Sequence, residues 1–300
     1  MRTKMVAALA VAVTLGLAGG GFTPAVSAPE APARKAKPYV VTLKALPAQA
    51  DAGRRLTLAG KVSGPENARK PVLVQRRYAG GAWAVAARTT TTKRGTFSVK
   101  VPLVKGGTTS FRVLKPRSAK RAQGVSRARS LTVYKWLDIV DQPTVVQGAV
   151  ALLDNDVTMN GRRYPGSVVA PGFSDNPVLL AVFTMGLCTT LEAQSGFADA
   201  DKPLLGGGET QQLTLSQTTA SQPPTPGPLL TTPAGTVQRA VRDVTGAQIA
   251  IMSFAVEKTE ATKGDLLAIL GSPRVRCRAD ALPSVPVAFL QGGARAVTLR

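Results

Sequence analysis

Between positions 40 and 134, apolar residues recur at every second position in short runs, with polar residues in the gaps. Leu56 with Leu58, Trp83 with Val85, Phe97 with Val99 and Phe111 with Val113 each share one face of an extended chain. Thr57, Ser98, Lys100 and Arg112 then point the other way. The pattern predicts strands over 40–46, 56–62, 72–78, 83–91, 96–101, 110–114 and 130–134. Turn-forming clusters separate them: Asp51-Ala52-Gly53, Gly64-Pro65-Glu66-Asn67, Gly80-Gly81, Lys93-Arg94-Gly95 and Gly106-Gly107.

Seven short strands in this span predict an immunoglobulin-like sandwich held by packing alone, since no cysteine pair spans it. The strand pattern restarts at Tyr134-Lys135-Trp136. It predicts further strands over 144–153, 157–159, 167–169, 178–183, 189–194, 211–215, 236–243, 248–256 and 271–278. Gly206-Gly207-Gly208 and 223–228 read as loops, and 263–270 is the one stretch that fits a helix or an extended strand. The expected fold class is all-β: the immunoglobulin-like sandwich, then a larger jelly-roll-like β-sandwich. The expected organisation is 38–135 and 136–279 as two domains, with a tail over 280–300 of no assigned role.

The N-terminus departs from this pattern. Arg2 and Lys4 precede an apolar run over 5–17, and Val26-Ser27-Ala28 places small residues where a signal peptidase reads. Residues 1–28 are expected to be a cleavable signal peptide, too short in their apolar run for a membrane span, and 29–37 a Pro/Ala/Lys linker. The expected location is extracellular or cell-surface associated. Export makes Cys188 and Cys277, the only cysteines, a disulfide candidate.

Charge divides the chain as sharply as the strand pattern does. The formal net charge is +21. Residues 38–135 hold 21 Lys and Arg against only Asp51 and Glu66, whereas 136–300 hold 12 against 14 acids. The basic half suits anionic wall polymers or lipid headgroups; no recognition helix or stacking platform accompanies it for nucleic acid. A solvated surface with a basic bias is the other reading of the same residues. The absence of histidine excludes imidazole catalysis and His-ligated zinc.

Two resemblances follow from particular residues. Gly60-Lys61-Val62, 71–77 (PVLVQRR), Gly81-Ala82-Trp83, Gly95-Thr96-Phe97 and Phe111-Arg112-Val113 resemble the Ig-like modules of secreted actinobacterial proteins. In the second half an ordered set of motifs is similar to another family. The set comprises 134–137 (YKWL), 160–167 (NGRRYPGS), 188–193 (CTTLEA) with 196–199 (GFAD), 243–249 (DVTGAQI) and 273–277 (PRVRC). It resembles the NPCBM family, the carbohydrate-binding module appended to family 98 glycosyl hydrolases. That resemblance implies a β-sandwich and glycan binding rather than cleavage.

The candidate ligand residues are Trp136 and Tyr164, whose rings suit pyranose C–H faces or a core, and Asp199 with Asp201. Asp154/Asp156 and Asp199/Asp201 are i,i+2 pairs, which suit a structural Ca2+ or a solvated turn. No other cofactor is implied. No nucleophile elbow, P-loop or GxGxxG occurs, so no catalytic residue is assigned. The expected function is noncatalytic binding of polysaccharide or cell-wall glycan by a secreted protein, with the basic half assisting retention at an anionic envelope. The alternatives are a structural or adhesive envelope protein without sugar specificity, and a glycoside hydrolase using Asp and Glu alone.

Overall fold

The computed structural model describes residues 36–147, 152–171, 176–219, 222–285 and 295–297. The expected signal peptide and nearly all of the linker lie outside the described residues. Its regular structure is almost entirely strand, joined by loops, turns and two short 3-10 segments.

The strands of the basic half are β1 (Val40–Leu43), β2 (Gln49–Asp51), β3 (Arg55–Ser63), β4 (Pro71–Tyr78), β5 (Ala84–Thr90), β6 (Thr96–Pro102), β7 (Gly107–Lys115), β8 (Gly124–Val125) and β9 (Arg129–Asp138). Each of the seven predicted runs is a strand. In β3, Leu56, Leu58 and Val62 are buried while Arg55, Thr57 and Lys61 face water, as the period of two requires. The sheet β1-β3-β6 packs against β5-β4-β7-β9 through Leu58, Val62, Val72, Val74, Val101, Phe111, Val113 and Val133. The short β2 and β8 were not predicted; β2 runs parallel to β9 and β8 pairs with the end of β7. Two or three residues cannot show a period, so only pairing reveals them.

The second half continues with β10 (Thr144–Gln147), β11 (Leu152–Met159), β12 (Arg162–Ala170), β13 (Val178–Phe183), β14 (Cys188–Gly196), β15 (Thr210–Thr219), β16 (Gln222–Pro233), β17 (Val237–Asp243), β18 (Ile249–Glu257), β19 (Ala268–Cys277) and β20 (Arg295–Val297). One sheet has the order β16-β15-β18-β13-β10-β20. The other contains β11, β12, β19, β14 and β17, and it joins the basic half because β19 also pairs with β9. Between them lies an apolar core that includes Leu180, Leu191, Leu213, Met252, Phe254, Leu270 and Val275. Gln211 ties the two layers: its amide receives the Ile269 N–H at 2.9 Å and donates to the Ile269 carbonyl and to Ser195 Oγ.

One expectation is corrected. The proline-rich stretch 223–228 lies within β16 rather than in a loop. Proline cannot donate to a ladder, yet β16 is an edge strand paired only with β15, so its other side needs no donors. Of the two readings of 263–270, helix or extended strand, the structure has no helix there, and Ala268–Leu270 belong to β19. In the tail, Leu282 is buried and donates its N–H to Gln142 Oε1 at 2.9 Å, and β20 adds an edge strand beside β10.

β9 joins the two halves. Its Leu131 and Val133 enter the first core and its Leu137 the second. The expected division at 135/136 therefore falls inside one continuous strand. Around this joint Arg276 pairs with Asp51 at 2.7 Å, and the Gly106 N–H donates to Asp280 Oδ1 at 2.9 Å. Gly106 has no room for a side chain: a Cβ would sit 2.3 Å from the Ala279 carbonyl oxygen.

Candidate functional site

The strands β9, β19, β14 and β17 lie side by side, and directly paired residues share a face. Leu137, Val275 and Leu191 are aligned inward and buried. The alternate positions therefore point outward, which aligns Asp138 with Arg274, Glu192 and Val241, and Trp136 with Arg276, Thr190 and Asp243.

Arginines lean across this outer face onto aromatic and acidic neighbours. The Arg274 guanidinium lies 4.6 Å from the Trp136 ring centroid, and that of Arg276 lies 4.1 Å from the Tyr134 centroid. Arg239 grips Glu192 with two hydrogen bonds of 2.9 and 2.8 Å, and Arg274 adds one of 3.1 Å. Glu192 is 4% exposed because the two arginines cover it. The hydrogen bond from Arg239 foremost, with the charge of Arg274, holds its carboxyl below the usual range despite the opposing cost of burial. Such planar, charge-assisted contacts fix Arg274, and through it the indole of Trp136.

Trp136 lines one hollow, and Arg274, packed on its ring, lines another. The first, about 400 Å³, is lined by Ala52, Gly53, Leu103, Val104, Tyr134, Lys135 and Trp136. The second, about 350 Å³, is lined by Asp138, Val140, Asp141, Pro165, Gly166, Ser272 and Arg274. The first offers apolar surface and an aromatic wall; the second offers two carboxylates, a hydroxyl and a guanidinium. That pairing of ring surface with convergent polar groups is what a sugar needs, with C–H faces on the ring and hydroxyls to the polar atoms.

Of the residues expected to bind ligand, only Trp136 lies here. Tyr164 is buried with Val157, Met159, Val169 and Ile269, and Arg162 covers its ring at 5.4 Å. Asp199 receives the N–H groups of Asn160 (2.9 Å) and Gly161 (2.8 Å) and pairs with Lys202 at 3.0 Å. Those contacts, the Gly161 N–H first, hold its carboxyl below the usual aspartate range and brace the turn between β11 and β12. Asp201 is half-buried, its Oδ2 has no hydrogen-bond partner among the described residues, and burial raises its pKa. Asp156 pairs with Arg163; the Asp154 side chain lies outside the described residues. Among the described residues no group of three or more acidic or thiol side chains is gathered to hold a metal ion. Cys188 and Cys277 form a disulfide between directly paired positions of β14 and β19, as expected.

Asp138, Asp141, Arg274 and Glu192 were not expected at a site. The alternation Arg274-Val275-Arg276 marks an outward arginine pair, but no sequence signal places it against Trp136, 138 positions earlier in the chain.

No family model and no curated protein matches the chain. Among solved structures it is similar to the tandem CBM51 modules of Sp3GH98, the family 98 glycoside hydrolase from Streptococcus pneumoniae SP3-BS71. The identity there is 10%, with 74% of this chain and 81% of that chain covered, at a TM-score of 0.37. It is also similar to tripeptidyl peptidase 2, at 11% identity over 79% of this chain and 20% of that one, with a TM-score of 0.25. Neither likeness bears on which residues bind.

Proposed function

We propose that this is an exported, noncatalytic carbohydrate-binding protein that takes polysaccharide or cell-wall glycan across the Trp136–Arg274 face. The observation that carries the reading is that Trp136, which lines an apolar hollow, packs against Arg274, which lines a polar one. The motif resemblance to NPCBM modules points the same way. On this reading a sugar ring packs on Trp136 from the apolar hollow, and its hydroxyls reach Asp138, Asp141 and Ser272. The basic half holds the protein at an anionic envelope. Among the described residues no helix is long and apolar enough to cross a membrane.

The test is a glycan array probed with the mature chain at low and at high salt. Salt-resistant binding to particular glycans, reduced roughly tenfold or more by Trp136→Ala or Arg274→Ala, is the expected result. Wild-type protein that binds no glycan at high salt, or a Trp136→Ala variant that binds as well as wild type, overturns it. The envelope reading without sugar specificity draws on the charge of residues 38–135 and predicts retention on any polyanion, abolished by salt. Sugar release with time would instead establish a hydrolase. Export is checked separately: the N-terminus of secreted protein is expected to begin at Pro29.

A further inference from the structure

Two arginines on the outer face of the basic half share one indole. The Arg77 guanidinium (β4) lies 4.7 Å from the Trp83 ring centroid, and that of Arg112 (β7) lies 4.3 Å from it. The turn through Ala79 and Gly80, both with positive φ, reverses the chain and carries Trp83 back over β4. The ring thereby meets arginines from two adjacent strands. Gln75 Oε1 accepts the Arg112 Nε–H at 2.8 Å, which fixes one edge of that guanidinium and, among the described residues, leaves its outer nitrogens without a hydrogen bond. Ser110, directly paired with Arg77, shares a 2.8 Å hydroxyl contact with Ser130 on β9.

No carboxylate among the described residues balances this pair. Among the described residues neither Arg77 nor Arg112 forms an ion pair. The two acids of the half are engaged elsewhere, Asp51 with Arg276 and Glu66 with Lys120. Two like charges held around one ring repel each other, and an anion between them would relieve that repulsion. Guanidinium forks match carboxylate, sulfate and phosphate oxygens. Because both arginines lie over the ring, Trp83 orients them rather than serving as a platform for a nucleobase.

We propose that Arg77, Trp83 and Arg112 form a seat for the charged groups of an anionic polysaccharide, with one sulfate, phosphate or carboxylate bridging the two guanidiniums. This rests on the reading of the basic half as a holding surface and assigns that surface a specific site.

The probe is dextran sulfate against neutral dextran of the same length, titrated into the mature full chain at about 0.15 M salt. Wild type is expected to bind only the sulfated polymer through this seat. Arg77→Gln/Arg112→Gln should weaken binding roughly tenfold, whereas Arg54→Gln/Arg55→Gln, which removes equal charge from the same half, should weaken it no more than about twofold. Trp83→Leu keeps every charge yet should lose roughly fivefold, and Trp83→Phe should recover most of it. Circular dichroism of each variant verifies folding. Equal weakening by the two double variants overturns the seat while the holding reading stands. No binding by wild type overturns both. Tighter, Arg77- and Arg112-dependent binding to an oligonucleotide or to anionic vesicles overturns the polysaccharide assignment.

Discussion

Glu209 shows how a single buried carboxylate holds a turn. The N–H groups of Gly206 and Gly207 donate to it at 2.7 and 2.9 Å, and the Thr262 hydroxyl adds 2.7 Å. Gly206 leaves no space for a side chain, since a Cβ would sit 2.1 Å from the Ala261 carbonyl oxygen. These donors, the Gly206 N–H foremost, lower the Glu209 pKa to about 2. A carboxylate depressed on folding stabilises the protein above its unfolded pKa, roughly 4.3, and that contribution is lost as pH falls toward the folded value. Acid unfolding should therefore be steeper between about pH 4.3 and 2 in wild type than in Glu209→Gln, measured by denaturant titration at each pH. Equal slopes would show that Glu209 is not held this way. At Gln211 the expected effect is independent of pH. Gln211→Leu leaves the N–H and carbonyl of Ile269 without their side-chain partner in a buried site, a loss of about 1–3 kcal/mol by denaturant unfolding.

Among the elements, the β14–β19 pair organises the second sheet, because β19 is paired with β14, β12 and β9. The Cys188–Cys277 bridge locks that pair across 89 positions of sequence. Closing a loop of that length restricts the unfolded chain, so Cys188→Ser/Cys277→Ser should lose roughly 4 kcal/mol of stability. Urea unfolding of the oxidised and double-variant proteins checks this; a difference under about 1 kcal/mol would place the restraint elsewhere. The edge strand β16 illustrates a different balance. Its prolines defeat any prediction from propensity, yet β15 supplies the needed pairing, and the prolines remove N–H donors from part of an edge strand.

At the scale of the whole molecule the two cores are coupled through β9, the Arg276–Asp51 ion pair and the close approach of Gly106 to Ala279. Gly106→Ala forces a Cβ against backbone that has no flexible side chain to give way, so the joint must open or shift. The expected outcome is a loss of about 1–3 kcal/mol and separation of one calorimetric transition into two. A single transition at the wild-type temperature would show that the joint is not held by this approach. The same coupling places the Trp136–Arg274 face beside the basic half, since Asp51 and Tyr134 from that half engage Arg276.

Much of the fold was legible in order because a half-buried strand writes its own period of two. Leu56/Leu58 and Phe111/Val113 announced their strands, and two cysteines in a chain expected to be exported announced their bond. The segregation of charge was also visible, since it needs only counting. What one dimension does not contain is adjacency: Trp136 meets Arg274, and Trp83 meets Arg77 and Arg112, only when strands distant in sequence are laid side by side. Tyr164 and Trp136 looked alike along the chain, and tertiary packing put one ring in a core and left the other lining a surface hollow. The sequence by itself determined an all-β chain with its charge on one half. Strand pairing alone decided that the two halves share a strand and that arginines cover the aromatic rings of its outer face, because register, not composition, sets which side chains touch.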